Sequence, residues 1–133
     1  MIAVDTSALL SIALVESDAS RMLATLTGAP CLVGAPTVFE ARMVVLARGS
    51  RDAVLTLDLI LSGPTLRIVP FDDEHADLAR AAFAIYGKGR GHPAQLNFGD
   101  CMTYAVAKRD DLPLLYEGDD FVHTDLRPAL GAP

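Results

Sequence analysis

Asp5, Glu40, Asp100, Asp119 and Asp120 are the residues of this chain whose type and placement could do chemistry together. Each follows a short apolar run or stands in the first turns of the helix expected after one. Taken singly, each has a plain structural reading. Asp5 can cap the helix behind it, although Thr6 and Ser7 could cap it as well. Glu40 reads as an exposed helical glutamate, favoured near the positive end of a helix. Asp100 is the third helical residue of a capping box if Asn97 is the cap, and Gly118-Asp119-Asp120 is ordinary turn chemistry. Taken together they point elsewhere. If the strands are parallel, all these acids crowd one edge of the sheet, where open α/β folds bind ligands. Clustered carboxylates repel and cannot all stay ionised without counter-charge. Mg²⁺ or Mn²⁺ supplies that charge and prefers oxygen ligands. Such ions acidify water and clamp phosphoryl oxygens, which suffices to hydrolyse a phosphodiester.

The elements that must position these acids are legible from periodicity. Met1 to Val4 reads as a short buried strand, followed by a helix from Thr6 or Ser7 through Leu14. Glu16-Ser17-Asp18 opens a second helix, with Met22, Leu23 and Leu26 at helical spacing and Gly28 as its stop. Cys31 to Val33 is a second strand. Pro36 suits the first position of a third helix, running to about Arg48, and Asp52 to Leu61 is helical again. Leu66 to Val69 is a third strand. Asp72-Asp73-Glu74 starts a helix whose apolar stripe is read as Leu78, Ala81, Ala82 and Ile85. Gly87 to Pro93 is a Gly-rich basic loop, and Asn97 or Gly99 begins a helix to about Lys108. Leu112 to Tyr116 is a fourth strand, and Leu126 begins a short last strand or turn. Short apolar strands alternating with helices predict an α/β fold with a mostly parallel sheet of four to five strands flanked by helices.

With 133 residues, the chain is expected to form one domain spanning 1–133, and 51% hydrophobic residues are enough for a core without a staple. Cys31 and Cys101 are too few for a disulfide framework and read as buried, reduced thiols. No signal peptide is recognised: Ala8 to Val15 is apolar, but Asp5 precedes it where a positive charge belongs. The run is also too short to span a bilayer. A soluble, cytoplasmic protein with no membrane partner is therefore expected. The net charge of −6 argues against nucleic-acid binding in general, since phosphate affinity comes from Lys and Arg. Bound cations would offset part of that charge, and Lys88, Arg90 and His92 give the loop before Asp100 a local positive character. No G-x-x-x-x-G-K-[ST] pattern is present, which excludes nucleotide binding of that type.

Three stretches resemble the PIN-domain ribonucleases, and specifically their VapC toxin branch. They are residues 2–8 (IAVDTSA), the stretch from Tyr86 to Asp100 (YGKGRGHPAQLNFGD) continued by Cys101 and Tyr104 to Lys108, and Leu114 to Phe121 (LLYEGDDF) followed by Thr124 to Leu126. The resemblance covers the chain from Met1 to about Leu130. It implies a PIN-like fold and a Mg²⁺- or Mn²⁺-dependent endoribonuclease that cuts tRNA, rRNA or mRNA and so stops translation. Asp5, Glu40 and Asp100 match the three principal acids. Where many relatives place a fourth, this chain has Gly118, so Asp120 is expected to replace it, with Asp119 as the alternative. Thr6 and Ser7 match the supporting hydroxyls. Asp5 and Asp100 would hold the principal cation, while Glu40 and the fourth acid orient the attacking water, leaving 5′-phosphate and 3′-hydroxyl ends. His75, His92 and His123 read as surface or loop histidines, with His92 the one placed to touch RNA.

The family also implies a homodimer held inactive by a VapB antitoxin, as a heterotetramer or larger complex. The apolar residues of the first two helices, including Leu9, Leu10, Ile12 and Leu14, exceed what one buried face needs, and part of the antitoxin groove or dimer surface is expected there. Two alternatives remain open. One is a PIN nuclease acting on DNA or other single strands, since a cation clamp on phosphate reads no sugar. The other is a catalytically silent binding module. A haloacid-dehalogenase-like phosphatase is excluded, because it needs a second Asp where Ser7 stands.

Overall fold

A computed structural model describes residues 1–131. Its elements are β1 (Ile2–Val4), α1 (Thr6–Ala13), α2 (Ala19–Gly28), β2 (Cys31–Gly34), α3 (Ala35–Arg48), α4 (Arg51–Leu61), β3 (Leu66–Val69), α5 (Asp73–Tyr86), α6 (Phe98–Arg109) and β4 (Leu114–Leu115). The sheet order is β3-β2-β1-β4, and every pairing is parallel. Ile2 registers with Cys31, Ala3 with Leu114 and Cys31 with Leu66. All strands therefore end at one edge, and β1, which delivers Asp5, lies inside the sheet rather than at its margin.

The period-2 alternation of strand side chains divides the apolar residues between two cores. Ile2, Val4, Cys31, Val33 and Leu115 face one side, where they pack with Leu9, Met22, Leu26, Val45 and Leu57 from α1 to α4. Ala3 and Leu114 face the other, against Ala82, Leu96, Cys101, Tyr104 and Phe121. The result is an α/β fold with a four-stranded parallel sheet between two helical layers. Gly34 ends β2 where α6 passes closely: a Cβ there would come within 2.9 Å of Val106 Cγ2. Both cysteines are buried and free. Among the described residues, no helix is long and apolar enough to cross a membrane.

Three expectations change. The buried stripe of α5 is rotated from the one read in the sequence. His75 and Ala82 are buried with Leu78, Ala79 and Tyr86 half-buried, while Ala81 and Ile85 are exposed. The rotation follows from the start of the helix, where the His75 ring turns inward to cap it. His75 is thus not a surface histidine: it is 2% exposed, stacks on Phe71, and its Nδ1 accepts from the Asp72 N–H at 3.1 Å. The fourth strand is shorter than Leu112 to Tyr116, and the chain near Leu126 contributes only an isolated bridge between Leu114 and Pro128.

Candidate active site

Asp5 is the first residue beyond β1 and caps α1 from an extended backbone. It is 5% exposed, and its carboxylate is held on both oxygens. Oδ2 accepts from the Ser7 N–H at 3.0 Å and from the Ser7 hydroxyl at 2.7 Å. Oδ1 accepts from the Thr103 hydroxyl at 2.7 Å. The capping and functional readings of Asp5 are thus compatible, since one oxygen carries the cap. Ser7 Oγ also accepts from the Glu117 N–H at 3.0 Å, which ties the loop after β4 to the end of β1.

Glu40 stands in the second turn of α3, half-buried, where its Oε1 accepts from the Thr6 hydroxyl. Its other flank rests on Gly99. A methyl group at Gly99 would collide with the Glu40 carboxylate, so the glycine provides room for this acid rather than backbone freedom.

Asp100 is the third residue of α6 and completes a capping box. The Asn97 side chain accepts from the Asp100 N–H at 2.8 Å, and Asp100 Oδ2 accepts from the Asn97 N–H at 3.0 Å. Its surroundings set it apart from an ordinary cap. Burial pushes its carboxyl up to about 7; the Asn97 N–H opposes the shift, and the charges of Asp5, Asp120 and Glu40 add to it. Asp119 and Asp120 are both exposed. Asp120 acts on Asp100, whereas Asp119 acts on Tyr116, whose hydroxyl is raised first by burial and then by that charge.

Three acids, Asp5 beyond β1, Glu40 beyond β2 and Asp120 beyond β4, therefore act on Asp100, which follows no strand, contrary to the sequence expectation, and reaches the same edge on α6 after α5. Among the described residues, no three His, Cys, Asp or Glu side chains already converge as a cation cage. The donors present are nonetheless hard carboxylate oxygens, and their mutual repulsion on Asp100 is what a divalent cation relieves. The residues fit Mg²⁺ or Mn²⁺ on that ground.

The loop between α5 and α6 is stapled rather than slack. Leu96 N–H donates to Tyr86 O at 2.8 Å, and Lys88 N–H donates to Leu96 O at 2.9 Å. Gly89 and Gly91 take left-handed φ values of 83° and 80° that other residues resist. Lys88 and Arg90 are exposed and form no ion pair among the described residues. His92 is half-buried, edge-on to Tyr86, and its Nδ1 accepts from the Ala94 N–H at 3.1 Å. In α1, Leu9 and Ile12 are core residues, while Leu10 and the C-cap residue Leu14 are half-buried against that core. The apolar excess of this helix goes mostly into packing, because α1 touches α2, α3 and α4 at once.

Thr103 and Thr37 were not readable as site residues. Thr103 follows Asp100 by three positions on a helix buried nearly all round, so no polar face marked it.

Comparison with known proteins adds the following. The PIN domain family matches residues 2–126. Ribonuclease VapC42 of Mycobacterium tuberculosis is 38% identical over 127 residues, covering 95% of this chain and 97% of that protein. Among solved structures, M. tuberculosis VapC20, described as a sarcin-ricin-loop-cleaving toxin, superposes with a TM-score of 0.72 at 17% identity, covering 96% of this chain and all of that one. VapBC2 from Rickettsia felis, solved with a DNA fragment from its promoter, gives 0.71 at 16% identity, covering 96% and 97%.

Proposed function

The chain belongs to the PIN-domain family, among the VapC ribonuclease toxins of VapBC toxin–antitoxin systems, and from that premise we propose that Asp5, Glu40, Asp100 and Asp120 form a cation-dependent endoribonuclease centre. The observation that carries this reading is the electrostatic state of Asp100, pushed to about 7 by burial and by three acids from separate elements.

Asp5 and Asp100 would hold Mg²⁺ or Mn²⁺. The cation, when bound, stabilises charge on the phosphoryl oxygens and lowers the pKa of the attacking water. Glu40, steadied by Thr6, and Asp120 at the solvent side would orient the attacking water. Asp119, whose charge acts on Tyr116, is left out of the centre. Lys88, Arg90 and the outer edge of His92 meet RNA phosphates as the strand approaches, which offsets the acidity of the body. The RNA is a cytoplasmic tRNA, rRNA or mRNA, and its cleavage inhibits translation.

The same reading extends to partners. A VapB-type antitoxin segment lies in the apolar groove between α2 and α4, lined by Ile12, Leu23, Leu26, Leu59 and Ile60. A homodimer uses the exposed Phe39, Met43 and Phe98 beside the acids.

The test is incubation of total tRNA and rRNA with the purified chain, freed of any partner, in Mg²⁺ or Mn²⁺ and in EDTA, beside Asp5→Asn/Asp100→Asn. Loss of several kcal/mol of transition-state stabilisation is expected, about 10³-fold or more in rate. Discrete fragments with 5′-phosphate ends, absent in EDTA and in the double variant, support the reading. Cleavage in EDTA, or full activity of the double variant, overturns it.

A further inference from the structure

An ionised carboxylate offers about four lone-pair sites. Three of those on Asp5 are filled from within the protein: two on Oδ2 by the Ser7 N–H and hydroxyl, and one on Oδ1 by Thr103. Oδ1 alone has a site left for a ligand. The atom that would meet a cation is therefore the atom that Thr103 holds.

Thr103 is itself seated. It is 2% exposed, and its Oγ1 lies 3.3 Å from Oγ1 of Thr37, which is 4% exposed. Because the single Thr103 proton goes to Asp5, Thr37 must be the donor of this second, longer contact. Thr37 precedes Glu40 by three residues on α3, and Thr103 follows Asp100 by three residues on α6. The chain Thr37–Thr103–Asp5 thus runs beneath the three acids and joins the elements that carry them, one helical turn from each helical acid.

We propose that Thr103 is a positioning residue of the active site, whose hydroxyl, backed by Thr37, orients Asp5 Oδ1 so that Asp5 binds the divalent cation through that one oxygen. This rests on Asp5 being a cation ligand, as argued above. Mg²⁺ demands near-octahedral geometry, so a one-oxygen ligand free to rotate is a poor one. Ser7 restrains the carboxylate through Oδ2 alone, so Thr103 is the side chain that fixes Oδ1 directly. Partners of this kind to a metal ligand are worth about 10–100-fold in metal affinity or activity.

The experiment is Mn²⁺ binding to the purified full-length chain, read by electron paramagnetic resonance, beside RNA cleavage and thermal unfolding. Thr103→Val keeps the side-chain shape and removes the donor; Thr103→Ser keeps the donor; Asp5→Asn reports on the ligand itself. Thr103→Val is expected to weaken Mn²⁺ binding about 10–100-fold and lower kcat, with KM for RNA unchanged, and Thr103→Ser to restore both. Thr37→Val, acting through the longer contact, is expected to produce a smaller loss of the same kind. Wild-type Mn²⁺ affinity in folded Thr103→Val, with Asp5→Asn impaired, overturns the positioning role and leaves the ligand assignment standing. Wild-type affinity in Asp5→Asn overturns the ligand assignment, and this proposal with it. Should Thr103→Val fail to fold, Thr103→Ala beside Thr103→Ser decides: restored affinity in the serine alone supports the proposal, and equal affinity in both overturns it.

Discussion

The helices α5 and α6 begin with the same local device and put it to opposite use. In each, the cap side chain accepts from the N–H of the third helical residue, and that residue's side chain accepts from the cap N–H. At α5 the acid is the cap itself. Asp72 is exposed, and its carboxyl lies below the usual range, chiefly because it accepts from the His75 N–H, with Arg109 beside it. At α6 the acid is the third residue. Asp100 is 9% exposed, faces Asp5, Asp120 and Glu40, and is pushed up to about 7. A capping box therefore says nothing about function. What separates a structural acid from a reactive one is the charge and burial contributed by other elements.

The largest effect that can break this comparison is on Asp100. Its raised carboxyl means that the native, cation-free chain holds a proton the unfolded chain has lost. The Asp100 contribution to stability is thus present below about pH 4 and declines as pH rises toward about 7. In EDTA at pH 8, Asp100→Asn should raise Tm by about 3–5 °C while activity in Mg²⁺ falls about 10³-fold. The amide oxygen can still accept from the Asn97 N–H, so the cap survives. A Tm loss with activity retained would make Asp100 a mere cap.

Gly99→Ala comes next. Alanine suits a helix better than glycine, so the fold should hold. The added methyl group displaces the Glu40 carboxylate, and cleavage should fall about 10-fold, measured beside unfolding by circular dichroism. Unchanged cleavage would show that the placing of Glu40 does not matter.

The smallest effect belongs to Asp72. Removing the cap with Asp72→Ala should lower Tm by about 2–5 °C and leave cleavage unchanged. The pH sign is the reverse of that for Asp100. A lowered carboxyl contributes stability above its unfolded pKa of about 4 and loses it as pH falls through the folded value.

Much of this was legible in the sequence, for identifiable reasons. Asp5 and Glu40 could be read as neighbours because parallel strands end at one edge, so acids just beyond β1 and β2 arrive at the same place, whereas Asp100 follows no strand and reaches that edge on α6, after α5. Asn97 could be read as a cap from its spacing to Asp100. Asp120 could be preferred to Asp119 only through the resemblance, since adjacent exposed residues of one turn carry no periodicity that separates them. His75 looked like a surface histidine because its role is a local bond to the Asp72 N–H that no periodicity reveals. Leu9 and Ile12 looked surplus because α1 meets three other helices, not one. Thr103 stayed hidden because a buried hydroxyl on a buried helix is visible only once its partner, 98 residues away, is placed.

The most direct test of the central claim is the titration of individual aspartate carboxyls by carbon-13 NMR, in EDTA and again in Mg²⁺. The predicted result is that Asp100 titrates near 7 without the cation and far lower with it, while Asp72 stays below the usual range in both. An Asp100 that titrates near 4 in EDTA and does not respond to Mg²⁺ would contradict it.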